Sequence, residues 1–411
     1  GTLSGTQNIC IGDSVTFAST VLGGTWTSSN PAVATINPST GAIVGVAAGS
    51  STMTYTVLGS GGCPNATATR IVTVKPSPHV LNQNTYNICT GDNININLTA
   101  DLPGTTFTWL ASQNHVTGAG NGSGNTIATT LNLTGNSSGS VVYGVIPMAN
   151  GCEGNPYYIT VRVWPQPRPQ LNDGFICLNI LTNNAVQTHL LQTGLDNVNY
   201  TFDWYFNGTQ ISGANSHTYE ADQAGTYSVV ATNTNTNCVS DEVFATVTSS
   251  YVANNFVAEP SDAFTDTPYI IVHTPAGTGP FLYQLDFGPF QSSNIFYNVS
   301  SGLHTIRVKD DMGCTDLLGQ VWILNYPKFF TPNDDTYNDT WNIRDLKNQP
   351  NAIIDIYDRY GKILTQIKPN SSGWDGTYNG NLLPSTDYWF KVEYTENNKR
   401  KEFKSHFSLK R

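Results

Sequence analysis

The chain has 411 residues, which at roughly 100 to 200 residues per domain divides it into several units rather than one. Only 12% of it is charged while 11% is aromatic, a mixture that excludes a disordered polyelectrolyte and reads as short strands joined by polar turns. The formal net charge of −10 is unevenly placed: six of the 19 Lys and Arg (Arg70, Lys75, Arg162, Arg168, Arg307, Lys309) lie before position 326, so the first 325 residues carry −12 and the remainder +2. An acidic, lysine-poor body excludes nucleic-acid binding through backbone electrostatics. There is no run of 18 apolar residues to form a membrane-spanning helix. Residue 1 is Gly and no signal peptide follows, so a processed product or a piece of a longer chain is expected.

In chain order, NICIGD at 8–13 returns as NICTGD at 87–92, with a weaker third copy at Ile176-Cys177-Leu178. Each opening Cys is followed by a Trp: Trp26, Trp109 and Trp204. Each copy then reaches a second Cys (Cys63, Cys152, Cys238) and a closing strand: RIVTVKP, YYITVRVWP or VFATVTS. Self-similarity of this kind marks tandem units. Sequence alone does not fix cysteine connectivity. The simplest assignment pairs Cys10 with Cys63, Cys89 with Cys152 and Cys177 with Cys238, each bridge closing its own unit and Cys314 left over. It implies an oxidising, extracytoplasmic setting. The absence of C-x-x-C spacing argues against zinc.

Cys-Trp-Cys patterns among short β-rich runs suggest immunoglobulin-like sandwiches. In DQAGTYSVV, Asp222, Gly225 and Tyr227 match the tyrosine-corner pattern. The third repeat resembles immunoglobulin domains directly, and the first two resemble the bacterial Ig-like and PKD-like modules found in tandem in surface proteins. Residues 250–325 lack an early Cys but alternate cleanly, with His304, Ile306 and Val308 on one face. They resemble repeats of large Bacteroidetes adhesins. Pro-containing junctions at 75–78, 164–169 and 325–327 favour a semi-stiff string. The expected fold class is all-β: an Ig-like sandwich at 1–77, a PKD-like or Ig-like sandwich at 78–166, an Ig-like sandwich at 167–249, an adhesin-repeat-like sandwich at 250–325, and a small C-terminal β-sandwich at 326–411.

The last unit carries four motifs in order: FFTPNDDTYNDTWNI, AIIDIYDRYGKIL, GWDGTYNGNLLPSTDYWFKVEY and KEFKSHFSLKR, ending at Arg411. Their order and wording resemble the gliding-motility-associated C-terminal domain of Bacteroidetes, the type B sorting signal of the type IX secretion system. The family loop commonly reads TPNGDGxND; here Asp334 and Thr336 stand at the two glycines, and Thr tolerates positive φ poorly. The family's LPxGTYYY becomes LPSTDYWF. Oxygen-bearing side chains at Asn333, Asp335, Asn338 and Asp339 form a candidate Ca²⁺ loop, although it lacks both the sharp-turn Gly and a closing bidentate Glu. The alternative is a cluster of Asx turns. Lys399, Arg400, Lys401, Lys404, Lys410 and Arg411 are candidates for docking on an acidic partner, or else a solvated edge strand protected by its charges.

Signals for catalysis are weak. The seven His are dispersed and form no metal-ligand spacing. GNSSG at 135–139 matches a nucleophile-elbow pattern only formally, because that motif needs a strand-to-helix turn. GAGNGSG at 118–124 precedes no helix that would hold a phosphate. The expectation is a non-enzymatic protein without a cofactor, Ca²⁺ apart. The resemblance implies the C-terminal part of a gliding adhesin of the SprB type, exported by the type IX translocon. It also implies attachment at the cell surface to an outer-membrane β-barrel protein of the PorP/SprF kind, with its surface or glycan ligand unknown. The competing reading is a set of carbohydrate-binding or spacer modules of a larger secreted hydrolase, with Trp109, Trp164 and Tyr205 stacking on sugars.

Overall fold

The structure, a computed structural model, describes residues 1–274, 276–396 and 398–411. It is built of strands; among the described residues the one helical element is a three-residue 3-10 turn, Arg344–Leu346. Among the described residues, five hydrophobic cores lie along the chain.

The alternation of the sequence explains why sandwiches form. In Gly139–Ala149, Val141, Tyr143, Val145, Pro147 and Ala149 are buried, and the residues between them are not. Period-two burial on one face is what a sheet packed on a second sheet requires. In the first unit a four-stranded sheet runs Asn8–Cys10, Ala66–Lys75, Gly49–Val57, Thr25–Ser28. It faces a three-stranded sheet of Ser14–Thr16, Ala42–Gly45 and Ala34–Ile36. Trp26 fills the space between them with Phe17, Ile43 and Met53. Trp109 and Trp204 hold the same position in the next two cores. In the fourth unit His304, Ile306 and Val308 are all buried, as the alternation predicts.

One topological rule recurs. The opening strand of the unit pairs in parallel with its closing strand: Asn8–Cys10 with Ala66–Lys75, Thr85–Cys89 with Tyr157–Trp164, and Gly174–Asn179 with Val243–Val252. The last unit repeats it, Phe329–Phe330 lying beside the end of Lys399–Leu409. The register sets Cys10 opposite Lys75, Cys89 opposite Trp164 and Cys177 opposite Ser250. Each opening cysteine therefore sits at the pole where the chain leaves its unit.

This register overturns the expected bridges within units. Cys63 lies just before the closing strand Ala66–Lys75 begins, and Cys10 lies where that strand ends. Ten residues of strand separate the two by about 30 Å, whereas bridged Cα atoms lie about 4.4–6.8 Å apart. The bonds observed are Cys10–Cys152, Cys89–Cys238 and Cys177–Cys314, with Cα–Cα distances of 5.6, 5.6 and 5.4 Å. Each joins one unit to the next. Cys314, left over in the sequence reading, is bonded, and Cys63 is the free cysteine. The units are also not wholly self-contained: Phe264, on a loop of the fourth, is buried in the core of the fifth.

Candidate functional site

Two features carry chemistry that the fold alone does not require: the joints between units, and the C-terminal unit.

At each of the first three joints the exit pole of one unit meets the hairpin between the last two strands of the next. Those hairpins connect Gly139–Ala149 to Tyr157–Trp164, Gly225–Asn233 to Val243–Val252, and Gly302–Asp310 to Asp316–Ile323. Polar contacts surround the bridges. Lys75 Nζ donates to the Asn150 carbonyl at 3.0 Å across the first joint. At the third, Tyr251 N donates to Thr278 Oγ1 at 3.0 Å, Thr278 N returns a bond to the Tyr251 carbonyl at 2.9 Å, and Ala253 N donates to the buried Thr315 Oγ1. The linker and the disulfide thus form two covalent connections side by side.

The fourth joint has no disulfide. Phe264, at φ 63°, stacks on Phe403 with centroids 4.6 Å apart and meets Tyr394 edge-on at 5.1 Å. Its N–H donates to the Leu324 carbonyl, and Lys328 Nζ reaches Asp266 at 3.0 Å. This aromatic insertion had no signal in the sequence beyond an isolated Phe in a polar loop.

The C-terminal unit is a five-stranded sheet in the order Phe329–Phe330, Lys399–Leu409, Asp387–Glu396, Ile353–Tyr357, Ile363–Ile367. Tyr388, Phe390 and Val392 share its buried face. Trp341 stacks on Phe407 at 3.8 Å and donates its Nε1–H to the Pro327 carbonyl. Tyr388 donates its hydroxyl to the Pro384 carbonyl, four residues back, just as Tyr227 does to Gln223 in the third unit. The Tyr227 corner was legible in sequence; the Tyr388 corner, in the altered LPSTDYWF motif, was not. Burial is the main cause that raises both phenols, Tyr227 to about 12.

Asp334 and Thr336 do adopt the left-handed conformation, with φ 61° and 71°. Asp339 holds them there. Its carboxylate accepts N–H bonds from Asn333 and Asp334 on one oxygen and from Thr336 on the other, at 2.8–2.9 Å. Asp335 accepts from Tyr337 N at 2.8 Å and from Asn333 Nδ2 at 2.9 Å. The Tyr337 amide and the Asn333 amide hold the Asp335 carboxyl below the usual carboxylate range. These residues do not fit a Ca²⁺ site. Backbone N–H groups converge on Asp339, and the side-chain oxygens of Asn333 and Asp335 likewise accept amides, so three of the four candidate ligands are engaged within the loop. The Asx-turn alternative describes the loop.

The six basic candidates lie on or beside the last strand, and most have partners within the unit. Arg400 pairs with Glu393, Lys401 with Glu396, and Lys404 with Glu402 at 2.7 Å. Lys410 Nζ lies over the Phe329 ring at 4.4 Å. Arg411 donates to the Leu383 and Gly376 carbonyls. Lys399 is exposed. Of the aromatic sugar-stacking candidates, Trp109 is buried in the second core, Trp164 is half-buried with its Nε1–H on Asn87 Oδ1, and Tyr205 is half-buried. GNSSG at 135–139 is an exposed loop leading into a strand.

Comparison with known proteins places family matches on two of these units. A PKD-like domain matches residues 86–167, and the CHU_C type IX secretion signal domain matches residues 324–409. No curated protein matches. Among solved structures, the N-terminal eight Ig domains of Down Syndrome Cell Adhesion Molecule align over 99% of this chain at 11% identity and a TM-score of 0.29; this chain spans 60% of that one. Immunoglobulin domains 1–5 of Sidekick-1 align over 98% of this chain and 96% of theirs, at 10% identity and a TM-score of 0.25. Titin I-band fragment I67–I69 aligns over 60% of this chain and 98% of its own, at 12% identity and a TM-score of 0.25. The chain thus joins immunoglobulin-like and PKD-like β-sandwiches to a C-terminal type IX secretion signal domain, and it is a secreted, extracellular protein.

Proposed function

We propose that this chain is the non-enzymatic, C-terminal part of a cell-surface adhesin or filament of the gliding-motility type, the SprB-like reading. Its last unit directs export through the type IX translocon and then holds the protein to an outer-membrane β-barrel partner of the PorP/SprF kind. The sandwiches before it form the stalk. The observation that carries this reading is the secretion signal domain at 324–409, set behind a row of disulfide-joined sandwiches. The joints support a stalk in particular: a disulfide brace beside each of the first three linkers restricts bending, which a tether for a catalytic domain does not need.

The partner surface in this reading is shape-based more than electrostatic, because Glu393, Glu396 and Glu402 offset three of the six basic side chains. The exposed backbone edge of Lys399–Leu409, paired on its outer side only at Ser408 and Leu409, is the candidate contact. Strand addition at such an edge supplies main-chain hydrogen bonds to a partner. The test is removal of residues 326–411 from the protein in its own cell, followed by fractionation and surface protease accessibility. The expected result is loss of surface display, with protein accumulating behind the outer membrane. Unchanged surface display overturns the reading.

A further inference from the structure

The three disulfides follow a single rule. A cysteine in the hairpin before the closing strand bonds the opening-strand cysteine of the unit ahead: Cys152 with Cys10, Cys238 with Cys89, Cys314 with Cys177. The first unit has the same hairpin, between Gly49–Val57 and Ala66–Lys75, and Cys63 lies in it. Cys152 and Cys238 are 1% and 0% exposed, whereas Cys63 is exposed and free. All three opening-strand cysteines of the chain are already bonded to the unit that follows them, so none serves Cys63.

A second observation comes from the surface around it. Leu58 on the same hairpin is 75% exposed, and Val21 and Leu22 are 40% and 88% exposed. These belong to one pole. Thr25 pairs with Thr56 at the end of the sheet, and the Tyr55 hydroxyl donates to the Val21 carbonyl and accepts from Gly24 N. Thr20 N donates to the Thr2 carbonyl, which brings the start of the chain to that pole as well. A thiol and three apolar side chains therefore face outward where the chain enters the unit. At the later joints this pole is the one that the preceding unit covers.

We propose that the entry pole of the first unit docks a preceding immunoglobulin-like unit of the same polypeptide, whose opening-strand cysteine forms a disulfide with Cys63. Two thiols lose two protons and two electrons as one Sγ–Sγ bond forms. The acceptor is a disulfide-bearing oxidant outside the cytoplasm, which leaves as a dithiol by thiol–disulfide exchange. The rule fixes where the partner lies. The observed bridges span 137 to 149 residues, which puts the partner about 75 to 87 residues ahead of Gly1. At two of the three opening strands the cysteine begins Cys-x-Gly-Asp, where Asp13 and Asp92 each accept the amide N–H of the cysteine three residues earlier, at 3.0 and 2.9 Å; Cys177 bonds without it, so the motif is not required of the partner.

The experiment uses the protein released from the cell surface at its native length, blocked with N-ethylmaleimide, digested without reduction and mapped by mass spectrometry. The expected product joins the Cys63 peptide to a peptide from ahead of Gly1 at that spacing. Cys63 found alkylated, joined to a second Cys63, or joined to another protein overturns the proposal. In Cys63→Ser at native length, one new alkylatable thiol is expected on the preceding unit, with the other three bridges intact; no new thiol overturns it too. Neither result depends on how the C-terminal unit is anchored, so the failure of this proposal and that of the surface-attachment reading are separately visible.

Discussion

The first three joints and the fourth solve the same problem with different chemistry. Between units one and four, each hairpin is bonded through sulfur to the exit pole of its predecessor. Between units four and five, Phe264 is inserted among Tyr326, Tyr394 and Phe403 instead. A disulfide holds only in an oxidising setting, and it holds whatever the packing around it does. An aromatic plug is indifferent to redox state and depends on both partners being folded. The body of the chain is thus fixed by the compartment it reaches, while the secretion signal unit is joined by packing that forms with its own core.

That contrast can be broken most directly at Phe264. Phe264→Ala is expected to destabilise the last unit by about 3–5 kcal/mol, the usual cost of deleting a buried Phe. Denaturant unfolding should show an earlier transition for the last unit and no change in the first three. The complementary change, Cys89→Ser with Cys238→Ser, is expected to cost about 2–4 kcal/mol. It should also broaden the distance distribution between spin labels on units two and three. A reductant should reproduce that broadening in the unaltered protein and leave labels across the fourth joint unmoved; equal loosening at both would erase the distinction.

Within the last unit, Asp339→Ala removes three amide hydrogen bonds to a carboxylate and is expected to lower stability by about 1.5–3 kcal/mol by chemical denaturation. Asp335 gives the loop a pH dependence of known sign. Its folded-state carboxyl is held below the usual range, so its contribution is present above about pH 4 and is lost as pH falls further. Acid titration of the isolated loop signals should show this, and Asp335→Asn should flatten it. Thr336→Gly relieves a left-handed Thr and is expected to gain about 0.5–1 kcal/mol after the backbone entropy of Gly is offset. Chelation should leave the melting of the last unit unchanged, since the loop oxygens already accept amides.

The fold class was legible because its signals are local. Trp26, Trp109 and Trp204 and the alternation around them require only that neighbouring residues take opposite faces. Asp334 and Thr336 were marked only by the family resemblance, which puts glycine at both positions; the sequence itself left open whether the left-handed backbone survives there. The sulfur connectivity was not legible, because proximity in sequence was taken for proximity in space. Cys10 and Cys63 lie in one repeat but at opposite poles of it. The information was present in a less direct form: a long closing strand begins right after the second cysteine, and the first cysteine ends a strand paired beside it. Phe264 gave no such indication, since a loop residue that fills a neighbour's core carries no periodicity. Trp109 sits in the core, the place that Trp most often takes in a sandwich, so it is not free to stack on a sugar.

The pairing of the sulfurs also determines how the molecule carries tension. A pull between Gly1 and the last unit need not run through every sandwich. A covalent path passes from Gly1 to Cys10, crosses to Cys152, follows the chain to Cys177, and crosses again to Cys314. That path contains about 50 residues and is on the order of 170 Å when taut. Four sandwiches of roughly 30–40 Å each are nearly as long when folded. The shortcut therefore has little slack, and most of the chain is shielded from the load that its ends transmit.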